Sequence, residues 1–180
     1  MGWGYKQLGT TQVAADDYSG AVESLQKSLA IKENSAAADP QNAQASLDLA
    51  SGHADLAEAL SALGDAAQAV EEAQKGITIM TALSAADPTN AIFSRNLAID
   101  EEKLGDAFAR SGANAQAPTA QRTHAWSDAR VAYEKAGKIF ADLRDLGTLP
   151  PADAGQPQKL TTLTANCQRA IEQLTAANPN

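Results

Sequence analysis

Apolar residues along the chain fall on helical steps rather than alternating. Leu49, His53, Leu56, Leu60 and Leu63 recur every three or four positions, forming one stripe of a helix. Gly64 follows and suits the left-handed position that ends a helix. Asp65, with Gln68 three residues on, then makes a capping-box pattern for a second helix. Along that helix Val70, Ala73, Ile77 and Met80 keep the stripe through Leu83 or Ser84, and Asp87-Pro88 closes it. Proline suits the first position of the following helix and the preceding aspartate can accept its free amide hydrogens. The same reading gives a helix near 17–38 and a restart at Asp39-Pro40.

Shifted by 48 positions, the sequence matches itself. Asp39-Pro40-Gln41-Asn42-Ala43 recurs as Asp87-Pro88-Thr89-Asn90-Ala91, and Ala21-Val22-Glu23 as Ala69-Val70-Glu71. Between residues 17–50 and 65–98, 16 of 34 positions are identical. Leu8-Gly9, Leu56-Ala57 and Leu104-Gly105 mark a third copy at the same spacing. Its first helix spans about Thr89 to Ser111, ended by Gly112. Its second helix returns with Ala129, Tyr133, Ala136, Ile139-Phe140 and Leu143, offset by 60 rather than 48 from Ala69 onward, so about 12 residues are inserted. Asn114–Arg122 is therefore an exposed loop or an N-terminal extension of the sixth helix. Leu149–Pro157, with three prolines, reads as a rigid non-helical linker. Leu160, Leu163, Cys167, Ala170-Ile171 and Leu174 form a last amphipathic helix that caps the exposed apolar face of the preceding unit. The expected organisation is a single array: repeat one 1–39, repeat two 40–87, repeat three 88–148, linker 149–157 and capping helix 158–177. The first helix is about two turns shorter than its counterpart from Asn42, which suggests a chain cut at its start or a lost upstream repeat.

Composition agrees with helix. Alanine fills 40 of 180 positions and aromatic residues only 4%. The formal charge of -8 is unevenly placed: residues 1–90 hold 4 basic and 12 acidic side chains, residues 91–180 hold 10 of each. No strong basic face stands ready to displace counterions, so nucleic acid is not an expected partner. No apolar run approaches the roughly 18 residues of a membrane span.

The chemical inventory is thin. The lone Cys167 reads as a buried structural thiol. His53 lies on an apolar stripe and reads as a packed core histidine; His124, in the inserted segment, faces water. Asp16-Asp17 and Asp100-Glu101-Glu102 read as caps and solvated faces, because adjacent helical residues point about 100° apart. Glycines sit singly and form no phosphate-cradling loop. Trp3 and Trp126 read as core or edge packing. No catalytic residue, cofactor or metal is expected, and the chain reads as a nonenzyme.

The helix pairs resemble tetratricopeptide (TPR) repeats. The residues carrying the resemblance are Tyr5, Leu8-Gly9, Gln12, Ala21, Leu25 and Ser28 in copy one. In copy two they are His53, Leu56-Ala57, Leu60, Ala69, Ala73 and Gly76; in copy three, Glu101, Leu104-Gly105, Phe108, Ala129, Tyr133 and Ala136. Ala57 and Glu101 depart from the family's glycine and aromatic, and both helices are about two turns longer than usual. The Ala-Asp-Pro-x-Asn-Ala junctions and the run Ala132-Tyr133-Glu134-Lys135 through Cys167 are similar to the TPR-containing tails of bacterial, acidobacterial-type serine/threonine protein kinases. The kinase motifs themselves are missing.

The resemblance implies an all-α, right-handed superhelix of antiparallel pairs, about seven helices including the cap. It implies a signalling or scaffolding role in which first helices line a groove for a partner peptide or helix. Carried across, that groove comprises Lys6, Thr10 and Val13, then Ser51, Glu58 and Ser61, then Glu102, Asp106 and Arg110. Its acidic N-terminal half would prefer a basic or neutral protein partner. Two alternatives stand beside it: a self-association module, with Tyr5, Leu8 and Val13 left exposed by the short first helix and a homodimer as the outcome, and a ligand-sensing domain attached to a protein kinase. A cytoplasmic location is expected, or an extracytoplasmic one for the tail of a membrane-anchored kinase.

Overall fold

The computed structural model describes residues 2–177. Among them lie seven α-helices, one short 3-10 turn and no strand. In order they are α1 (Gly2–Ala14), α2 (Tyr18–Ala38), α3 (Ala43–Leu63), α4 (Ala66–Ala86), α5 (Ala91–Ala113), α6 (Thr119–Asp145), the 3-10 turn Pro151–Asp153 and α7 (Gln156–Ala176). The chain divides into two compact units at Asp87/Pro88, the boundary between the second and third sequence copies. In the first unit α1 packs on α2, α2 on α3 and α3 on α4; in the second, α5 packs on α6 and α6 on α7.

Local chemistry sets the helix ends, with one correction. Asp17 caps α2 by accepting from the Gly20 amide at 3.0 Å, and Asp65 caps α4 by accepting from the Gln68 amide at 3.1 Å. Gly64 ends α3 in the left-handed region at φ 96°. Asp39 and Asp87, however, stand at the C-terminal ends of α2 and α4 and do not start the next helix. The starts belong to Asn42 and Asn90, whose side chains accept from the amides of Ala45 and Ile92 at 3.1 Å. Their extended backbone presents the side-chain oxygen to the free amides, as an N-cap requires, and each proline falls in the intervening turn.

Three further expectations shift. Gly112 does not end α5, which continues to Ala113; it is a packing glycine, and a Cβ there would stand 2.8 Å from the Trp126 ring. Arg122 donates to the Gly112 carbonyl at 3.0 Å, satisfying an acceptor near the helix end. The insertion is both loop and helix, because residues 114–118 turn and α6 begins at Thr119. The proline-rich linker contains the 3-10 turn, and α7 starts at Gln156 rather than 158, with a proline in its first turn.

Small residues set how close the helices come. A Cβ at Gly9 would meet Leu25 Cγ at 2.6 Å, and one at Gly105 would meet the Tyr133 ring at 2.6 Å. The equivalent positions in the second copy are Ala57 and Ala73, both buried. A large residue on the second helix thus goes with glycine on the first, and alanine goes with alanine. The second unit's core gathers Ala98, Ala129, Tyr133, Ala136, Phe140, Leu143, Leu160 and Cys167. Burial makes Cys167 a structural thiol and pushes its pKa up.

α7 closes its unit because Leu160 and Cys167 face inward while Thr161, Asn166, Gln168, Arg169 and Glu172 stay in water. Trp126 packs against the core cluster as expected, but Trp3 is 75% exposed and packs in no core.

Helix propensity favours alanine over glycine by about 1 kcal/mol, whereas a clash in a packed contact costs about 1–3 kcal/mol. Gly105→Ala is therefore expected to lower unfolding stability by up to about 2 kcal/mol. Gly137→Ala, whose Cβ would meet Leu160 Cβ at an ordinary 3.5 Å, is expected to raise it by about 0.5–1 kcal/mol. Urea unfolding of both variants checks the pair, and equal effects would contradict this packing account.

Candidate functional site

In the first unit α1 and α3 bring Lys6 and Ser51 together. The Lys6 ammonium lies 2.8 Å from Asp55 Oδ2 and donates to Ser51 Oγ at 3.3 Å. On α3, Ser51 and Asp55 lie away from the buried Leu56 and Leu60, and with Lys6 of α1 they make a polar face that spans the pair. Thr10 is exposed, with its hydroxyl donating back to the carbonyls of Lys6 and Gln7. Val13 is half-buried, Glu58 is exposed and Ser61 is half-buried. Glu58 and Ser61 both take part in polar interactions of their own.

Lys32, from α2, joins this face and had no signal in the sequence, since it lies on a second helix. It lies half-buried where α2 crosses α3 at Gly52. Burial lowers its pKa and the neighbouring Lys6 charge adds to that, while Asp55 and Asp48 pull the other way.

The second unit's groove residues are arranged differently. Glu102 is only 7% exposed, and its carboxylate takes the Lys159 ammonium of α7. It does not line an open groove. The capping helix supplies the partner, and a carboxylate so buried is stable only when paired. Asp106 is exposed and accepts from the Tyr133 hydroxyl at 2.6 Å; burial, and then this hydrogen bond, raise the Tyr133 pKa well above its usual value. Arg110 is exposed and engaged in a polar interaction.

Other cross-helix pairs reinforce the hairpins. Arg95 of α5 makes a two-pronged contact with buried Asp153, at 2.5 and 3.2 Å, which raises the guanidinium pKa. That contact ties the 3-10 turn to α5. Glu101 and Lys135 meet at 3.4 Å between α5 and α6. The acidic run Asp100-Glu101-Glu102 is thus buried rather than a solvated face.

In the first unit His53 is a core residue, as expected, with Nδ1 2.8 Å from Glu72 Oε2. Burial pushes the Glu72 pKa up, but hydrogen bonds from Lys75 and His53 outweigh it and hold the carboxyl below its ordinary range. His124 is exposed and lies 3.4 Å from Asp128.

No protein-family model matches this chain, and no curated protein is similar enough to count as a relative.

Glu101 yields a pH test. Burial raises its pKa, with Lys135 only partly offsetting, and Oε2 has no hydrogen-bond partner. A carboxyl whose folded pKa is raised contributes stability below its unfolded pKa of about 4.3, and that contribution is lost as pH rises through the folded value. The stability of the native chain relative to Glu101→Gln should therefore be greater at pH 4 than at pH 7. Denaturant titrations at both pH values measure it, and a difference independent of pH would contradict the assignment.

Proposed function

We propose that the chain is a noncatalytic protein–protein interaction module, built as a right-handed TPR-like array of helix pairs. The polar face shared by α1 and α3 receives a basic or neutral segment of a partner protein. The observation that carries this reading is the meeting of Lys6, Ser51 and Asp55 across two first helices, in the stretch that holds the chain's whole net charge of -8. A side chain from each first helix converges there on one surface. The surrounding acidic field favours encounter with a positively charged segment. A role as the interaction segment of a signalling protein, in the cytoplasm or as a kinase tail, is consistent with this reading.

The test is a fluorescence titration of the full chain with a Lys/Arg-rich peptide and with an acidic peptide of equal length. The basic peptide is expected to bind more tightly, and to weaken as salt rises from low to physiological strength. Glu58→Lys should weaken it further, by roughly 0.5–1 kcal/mol. Equal affinity for the two peptides would remove the basis of the proposal.

A second reading, self-association, is favoured by α1, on which Trp3, Tyr5 and Leu8 are 75%, 39% and 49% exposed. Apolar side chains concentrated on one short helix gain by burial against a second copy. Two such acidic stretches repel, so salt would strengthen this association while weakening a basic peptide's binding. Light scattering at micromolar concentration across a salt series is expected to show dimer growing with salt, and Leu8→Glu should abolish it. A monomer at every salt concentration rejects this reading.

A further inference from the structure

Among the lysine side chains of the described residues, Lys32 is the one set apart. Lys6 meets Asp55 at 2.8 Å, Lys75 meets Glu72 at 2.8 Å, Lys138 meets Asp142 at 2.7 Å and Lys135 meets Glu101 at 3.4 Å. Lys159 pairs with Glu102, Lys27 lies over the Tyr5 ring, and Lys103 is engaged. Lys32 has no hydrogen bond and no carboxylate within ion-pair distance. Its ammonium nonetheless reaches solvent, because it is not among the buried unpaired nitrogens.

The stem is held in place. A Cβ at position 52 would stand 2.9 Å from Lys32 Cδ and 3.3 Å from its Nζ, so the glycine on α3 is what admits the side chain to the crossing. The groups facing it are Lys6 on α1 and Asp48 and Asp55 on α3. Asp55 pairs with Lys6 rather than with Lys32, and burial, with the Lys6 charge beside it, outweighs the pull of Asp55 and Asp48 on the Lys32 ammonium. Partial burial and a neighbouring cation are the two environments that turn a lysine from a solvated ammonium into a nucleophilic amine.

We propose that Lys32 is a modification site, the preferred lysine of this chain for acylation by a small activated acyl donor, an acyl phosphate or an acyl thioester. The ammonium first gives its proton to solvent. The free Nζ electron pair then forms a C–N bond to the acyl carbon, the acyl C–O or C–S bond breaks, and phosphate or thiolate leaves with that bond's electrons. The nitrogen's second proton goes to solvent or to the leaving group. The product is a neutral amide on the α1/α3 face. It removes the charge that Lys6 opposes and leaves that face more acidic.

The proposal does not depend on the interaction reading above. Its test is incubation of the full chain with acetyl phosphate, and separately with acetyl coenzyme A, at pH 7. Acylation of each lysine is then followed over time by peptide mass spectrometry. Lys32 is expected to be acetylated several-fold faster than Lys138, whose side chain is exposed but paired, with at least one donor. The two arms tell which leaving group the site accepts. Lys6→Gln, which removes the neighbouring cation, should reduce the advantage of Lys32, and Lys32→Arg should abolish the fast site without changing the other rates. A Lys32 rate no greater than that of Lys138 with both donors overturns the proposal.

Discussion

The helix pairs depend on one packing constraint: where two helices cross closely, one of the facing residues must be little more than backbone. Gly9 lies under Leu25, Gly105 under the Tyr133 ring and Gly112 under the Trp126 ring. In each case a glycine on the first helix of a hairpin admits a large side chain from the second. The middle copy meets the same constraint with Ala57 and Ala73, splitting the volume between the partners. Close-packed interiors respond to single methylenes, so exchanging the members of such a pair separately is costly. This constraint also explains the composition. Alanine occupies positions that set helix separation, and two of the few aromatics, Tyr133 and Trp126, lie where a glycine has made room.

Close packing of long helices then determines where charges go. α5 carries Arg95, Glu101 and Glu102 on sides facing the 3-10 turn, α6 and α7, and each meets an opposite charge there. Such pairs add little net stability compared with apolar packing, but breaking one strands a buried charge. α7, with its inward Leu160 and Cys167 and its wet outer face, ends the second unit both by covering core and by neutralising Glu102.

Much of the fold was legible because the 48-residue self-match repeats helix ends as well as apolar stripes. Asp17, Gly64 and Asp65 act as the sequence pattern suggests. The misplacement at Asp39 and Asp87 arose because aspartate and asparagine cap equally well, and only backbone geometry tells that Asn42 and Asn90 hold the extended conformation. Gly112 could not be read correctly because a glycine that ends a helix and one that admits Trp126 look identical in one dimension. Lys6 and Ser51, which the family resemblance put on one face, do come together, but nothing local links Glu102 to Lys159 across 57 residues, and periodicity does not mark Lys32. Contacts between helices that are distant in sequence carry no local signature.

The two units therefore differ in how far their charges are paired internally. In the second, ten basic and ten acidic side chains accompany helices whose ionic groups largely meet one another: Arg95 with Asp153, Lys135 with Glu101, Lys159 with Glu102, Arg130 with Glu134 and Lys138 with Asp142. Its field largely cancels within the unit. In the first, four basic groups face twelve acidic ones, so most carboxylates have no internal cation to meet and their field extends into solvent. Screening limits that field to about 8–10 Å at physiological ionic strength, a range that covers one helix face rather than a whole molecule. A surface with such a field, crossed by the Lys6–Asp55 bridge and bordered by a half-buried amine, is held in shape by the α1–α2–α3 packing rather than by its own charges. Small changes in its charge can thus alter what it attracts without altering the fold that presents it.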